Sequence, residues 1–84
     1  KVECDDNLKE KFLQKLIEQT KGLKTNTLDG VKIWFEDKSS ILIRPSGTEP
    51  IYRLYAEAKT EKKAAQLVKD YSLKLKKIID RLRN

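Results

Sequence analysis

Apolar residues along this 84-residue chain change their spacing more than once, and each change marks an element. Leu8, Phe12, Leu13, Leu16 and Ile17 recur every three or four positions, the spacing of one helix face, with Lys9, Lys11, Lys15 and Glu18 on the outer face. Asp5-Asp6-Asn7 offers N-cap side chains ahead of that stripe, Glu10 stands as a capping-box partner for Asn7, and Gly22 is placed to end the helix. From Leu23 the period becomes two. Leu23, Thr25 and Thr27 alternate with Lys24, Asn26 and Leu28, and Asp29-Gly30 is a hairpin-turn dipeptide. Val31, Ile33 and Phe35 then alternate with Lys32, Trp34 and Glu36, which sets Trp34 opposite the aliphatic residues, as in a sheet covered on one side. Beyond the polar turn at 37–40, Ile41-Leu42-Ile43 reads as a central strand. Ile51 to Lys59 alternates again, with Tyr52, Leu54, Ala56 and Ala58 on one side and Arg53, Tyr55 and Glu57 on the other. Thr60 N-caps a last helix whose stripe runs through Ala64, Leu67, Val68, Tyr71, Leu75, Ile78, Ile79 and Leu82. Val2, between Lys1 and Glu3, permits a short edge strand.

This order predicts an α+β fold with antiparallel pairing and both helices on one face of the sheet. The length suits one domain, residues 1–84, with nothing in the sequence that divides it. Hydrophobic and charged residues each make up 38%, too apolar for disorder, and no apolar run approaches the roughly 20 residues that span a bilayer. With one cysteine, Cys4, and no histidine, an internal disulfide is excluded, a metal site would need carboxylates, and Cys4 lacks an activating base. No secretion signal is evident, and a reducing compartment, the cytoplasm, is expected. The absence of methionine and the start at Lys1 suggest a processed chain or a segment of a longer one.

The net charge of +6 raises nucleic acid, an anionic membrane or a phosphorylated ligand as partners. From Glu61 onward eight basic residues against three acidic ones carry five of those six charges. Lysines and arginines late in a helix complement its dipole and cover apolar surface with their stems, so this cluster has an ordinary structural use.

Residue choice exceeds the needs of folding in one segment, Arg44-Pro45-Ser46-Gly47-Thr48-Glu49-Pro50-Ile51-Tyr52-Arg53. Pro45 fixes a φ, Ser46 and Thr48 bring hydroxyls, and Gly47 lets the backbone approach a ligand. Amides of Ser46, Gly47 and Thr48 could line an anion nest. Arg44 and Arg53 flank the loop on successive strands and suit phosphate oxygens bidentately. The same residues also serve as an ordinary turn, with both arginines solvated or paired to Glu49 and Glu57. Glu49 is read as restraining the loop through backbone N–H groups, since a carboxylate does not bind phosphate. The GxxxxGK[ST] pattern of a P-loop is absent.

This loop, followed by Ile51-Tyr52-Arg53-Leu54-Tyr55-Ala56-Glu57-Ala58, resembles the phosphate-binding signature in the last domain of the α-D-phosphohexomutases, and the resemblance extends from about Leu8 to Leu82. It implies a TATA-box-binding-protein-like domain, a four-stranded antiparallel sheet with two helices on one face, as the C-terminal part of a four-domain enzyme. Such enzymes interconvert hexose 1-phosphate and hexose 6-phosphate through a phosphoserine and a bisphosphorylated sugar. Matched position by position, Arg44, Ser46, Gly47 and Thr48 correspond to the family's loop donors. Pro45 shapes the loop, and Arg53 corresponds to a further phosphate-contacting arginine that some members lack. The resemblance implies no catalytic residue and no metal in this domain, whose role is to hold the phosphate that is not being transferred. Magnesium and the phosphoserine would belong to other domains, and the isolated domain is expected to be inactive. The expected partners are a phosphosugar and those other domains, with neither nucleic acid nor membrane. Two different readings remain: a basic nucleic-acid-binding domain stacking bases on Trp34 and Tyr55, and a helix-mediated protein-interaction module using Lys74, Lys76 and Lys77.

Overall fold

The computed structural model describes residues 1–83. Its elements are β1 (Val2–Glu3), a 3-10 turn (Asp6–Leu8), α1 (Lys9–Gln19), β2 (Lys24–Asn26), β3 (Val31–Trp34), β4 (Ser40–Pro45), β5 (Ile51–Glu57) and α2 (Glu61–Arg83). The strands form one antiparallel sheet in the order β1-β5-β4-β3-β2, so the apolar β4 does lie at the centre. The α+β arrangement therefore matches expectation, with one strand more than the four implied. The additional strand is β2, three exposed residues paired to β3 alone. Shortness and an exposed lysine blunt this edge against further pairing.

Register puts the apolar residues on one face. Val31 stands opposite Ile43, Ile33 opposite Ile41, Ile41 opposite Ala56, and Ile43 opposite Leu54. Phe12 and Leu16 of α1 and Leu75, Ile78 and Ile79 of α2 close over that face, all buried with Val2, Cys4 and Tyr52 in one core. Each fully buried aliphatic side chain stabilises the fold by about 1.5–3 kcal/mol before its entropy cost, so this stripe on two helices is what holds them to the sheet. Burial pushes the thiol of Cys4 up from its ordinary value, with the Asp5 charge adding to the effect, and burial likewise raises Tyr52 and Tyr71.

Two local expectations are corrected. No side-chain cap opens α1: the 3-10 turn bonds Leu8 N–H to the Asp5 carbonyl at 2.8 Å, and the helix starts at Lys9 rather than after Asn7. The acids are engaged elsewhere, Asp6 with Lys9 and Asp5 with Arg83. Lys9 is also not on the outer face; its side chain is only 17% exposed. By contrast Thr60 caps α2 as expected, its Oγ1 accepting from Lys63 N–H at 3.1 Å.

Candidate functional site

Strands β4 and β5 run antiparallel and place Arg44 directly across from Arg53, on the sheet face that the helices leave open. Each guanidinium meets a carboxylate. Arg53 Nη2 donates to Glu49 Oε1 at 2.9 Å, whereas Arg44 Nη2 lies 3.5 Å from Asp29 Oδ2 in the turn between β2 and β3. Arg53 thus engages the loop and Arg44 leans toward the neighbouring turn, a partner that the sequence did not suggest. The Glu49 carboxylate holds Arg53, as the ordinary-turn reading expected, and not the backbone N–H groups it was also read as restraining. All four side chains are well exposed, and such pairs are worth about 0–1 kcal/mol each.

Pro45 ends β4 opposite Tyr52, which leaves Ser46 to Pro50 as the connecting loop. The expected nest of three amides is only partly formed. Ser46 N–H closes the strand ladder on the Ile51 carbonyl at 3.1 Å and is therefore spent. Thr48 and Glu49 N–H groups converge on Ser46 Oγ at 3.3 and 3.2 Å, and Thr48 Oγ1 lies 3.5 Å from the same oxygen. The serine oxygen occupies the point at which an anion's oxygen could accept both bonds. Gly47 N–H has no acceptor among the described residues.

Gly47 has no positive φ, and a Cβ built on it would meet nothing within 4 Å. Neither strain nor crowding requires glycine there. Gly30, in the turn that carries Asp29, has φ +80°, and its Cβ would sit 2.3 Å from the Ile43 carbonyl oxygen and 2.8 Å from Arg44 Cα.

Beneath the loop lies a residue that the sequence reading misassigned. Lys9 Nζ donates to the carbonyls of Ser46 and Glu49, both at 2.7 Å, and pairs with Asp6 Oδ1 at 2.8 Å. The first turn of α1 is itself fixed to β5: Tyr52 Oη donates to the Lys9 carbonyl at 2.8 Å, and the Tyr52 ring meets Phe12 edge-on with centroids 4.6 Å apart. A signal existed. Lys9 precedes Phe12, Leu13 and Leu16 by three, four and seven positions, which places it on the buried stripe of the helix.

The open face holds more positive charge than expected, because Lys24 and Lys32 lie on it with Arg44 and Arg53. Both lysines are drawn over the Trp34 ring, 5.7 and 5.2 Å from its centroid. Leu28, at the tip of the turn beside Asp29, is 94% exposed. No helix among the described residues is long and apolar enough to cross a membrane.

Residues 1–74 match the family model described as phosphoglucomutase/phosphomannomutase, C-terminal domain. The chain belongs to that family. Among similar proteins, a probable phosphoglucosamine mutase of Methanothermobacter thermautotrophicus is 41% identical over 69 residues, covering 76% of this chain and 15% of that protein. The phosphoglucosamine mutase of Methanocaldococcus jannaschii is 44% identical over 71 residues, 81% of this chain and 16% of that protein. A phosphoglucomutase/phosphomannomutase of Thermococcus kodakarensis is 52% identical over 48 residues, 57% of this chain and 10% of that protein. The mutase-family domain thus spans less than a fifth of the length of these curated relatives.

Proposed function

We propose that this mutase-family domain holds the phosphate that is not being transferred in a cytoplasmic enzyme that interconverts hexose 1-phosphate and hexose 6-phosphate. Gly47 carries the reading: a glycine that the backbone does not need borders open space at an unpaired N–H, which suits close approach by a ligand. Arg44 and Arg53 stand side by side on β4 and β5, the two strands that this loop connects. Their exposed carboxylate partners are weakly held, and a phosphate dianion offers each guanidinium a stronger bidentate partner.

A bisphosphorylated intermediate must present either end to the reacting group, so its remote phosphate has to be recognised independently of sugar orientation. Amides and guanidinium groups meet that need, because they read phosphate oxygens and nothing of the ring. Binding energy from the held phosphate positions the reacting end, and closure of the domain over the cleft keeps water from a reactive phosphoenzyme. Magnesium, when bound, stabilises charge on the group in transfer. Among the described residues no group of three His, Cys, Asp or Glu side chains comes together to hold a metal, so those residues do not fit that ion. Its place in this reading, like that of the phosphoserine, is elsewhere in the enzyme, and the domain alone turns nothing over. A nucleic-acid role is disfavoured by the two lysines that already cover Trp34, the larger aromatic of the open face.

Kinetics of the enzyme that carries this domain test the reading. Arg44→Ala lowers turnover about a hundredfold while the fold persists, the loss typical of a truncated charge pair. Unchanged kinetics would sink the assignment.

A further inference from the structure

We propose that Lys9 is a positioning residue that holds the 46–49 loop in its phosphate-receiving shape from below, without touching the ligand. The inference rests on the phosphate-holding reading and assigns a role to a residue outside the loop. An ammonium has three protons, and Lys9 has three acceptors at hydrogen-bond distance: the Ser46 carbonyl, the Glu49 carbonyl and the Asp6 carboxylate. Its side chain is mostly covered, and the first turn of α1 is fixed independently through Tyr52 and Phe12. The charge is therefore delivered from a rigid element to a loop that makes few bonds of its own.

The geometry has a directional consequence. In a trans peptide the C=O and the following N–H point opposite ways, and no peptide bond among the described residues is cis. Drawing the Ser46 carbonyl down onto Lys9 therefore turns Gly47 N–H up, to the side where it has no partner. The Glu49 carbonyl, held by the same ammonium, also accepts from Ile51 N–H at 2.8 Å, which fixes the far end of the loop. Between these two points Thr48 and Glu49 N–H groups are directed at Ser46 Oγ. Without the ammonium two carbonyl oxygens and a carboxylate would face one another, and the loop would relax by rotating a peptide. That rotation would present a carbonyl oxygen to the phosphate in place of an N–H. Lys9 thus acts twice: it orients the amides, and it cancels the partial negative charge of the carbonyls behind an anion site.

The test compares wild type, Lys9→Met, Lys9→Arg and Asp6→Asn by titrating inorganic phosphate into the labelled chain and following the amides of residues 47–49. Lys9→Met, of similar length and apolar, weakens phosphate binding about tenfold, the size of a lost charge-assisted hydrogen bond. In the ligand-free spectrum it shifts the Gly47, Thr48 and Glu49 amide resonances, while the amides of β4 and β5 stay protected. Lys9→Arg restores most of the affinity, because a guanidinium can also bridge two carbonyls. Asp6→Asn keeps both carbonyl bonds and loses less than Lys9→Met. Should Lys9→Met fold and bind phosphate as tightly as wild type, the proposal is overturned while the phosphate-holding reading survives. A Lys9→Met chain that fails to fold, with Lys9→Arg folded but binding no better than a loop without its amides aligned, overturns it as well. If phosphate moves no amide of the wild-type loop, both readings fall together.

Discussion

Two turns flank Arg44, and each contains one glycine for a different reason. In the turn between β2 and β3, Gly30 adopts a left-handed φ, and its backbone lies so close to Ile43 and Arg44 that a Cβ would strike main-chain atoms. In the loop between β4 and β5, Gly47 has no such φ and no neighbour within reach of a Cβ. The first glycine serves the fold, while the second leaves room that the fold does not use. The comparison separates a turn that orients Asp29 against Arg44 from a loop shaped to receive something, although both read alike as polar segments with Gly and Asp or Ser.

The comparison makes ordered predictions. Gly30→Ala combines a disfavoured left-handed φ with a backbone clash and should cost about 3 kcal/mol of stability, measured from the denaturant midpoint. A variant as stable as wild type would show that the turn can retreat from β4. Gly47→Ala should change stability by less than about 0.5 kcal/mol, the usual range for an open surface site. Its phosphate affinity should nonetheless fall about tenfold as the methyl group intrudes on the bond to Gly47 N–H. Equal losses of stability at both glycines would erase the distinction. The smallest effect belongs to Glu49→Gln. Removing the carboxylate that occupies Arg53 should tighten phosphate binding about threefold, in line with the modest worth of an exposed pair, and a weaker complex would mean that Glu49 shapes the loop after all.

How far these features were legible follows from the range of each interaction. Periodicity found α2, β3 and β5, because a buried stripe on a helix or strand is written locally in residue spacing, and the central β4 was read from its wholly apolar run Ile41-Leu42-Ile43. The cap of α1 was misread, since Asp5, Asp6 and Asn7 have suitable side chains but two of them are drawn into ion pairs with Lys9 and Arg83. The second of those partners lies 78 residues away and leaves no trace in local sequence. The loop's residues were identified from their chemistry and resemblance, and their cross-strand arginines followed from antiparallel pairing. The Asp29 partner of Arg44 did not, because it depends on Gly30 letting its turn lie close against β4. Lys9 was missed for another reason: its position marked it as buried, but its residue type suggested an outer face, and the acceptors that make a covered ammonium tolerable come from a segment 37 to 40 residues later.

The central claim is that the 46–49 loop and its two arginines hold phosphate. The most direct measurement is the amide spectrum of the labelled chain during titration with glucose 1,6-bisphosphate at low salt, with a short DNA duplex as the parallel ligand. The account predicts shifts at Gly47, Thr48 and Glu49 and around Arg44 and Arg53 with the bisphosphate. A silent loop, or shifts centred on Lys24, Lys32 and Trp34 that only the duplex produces, would contradict it.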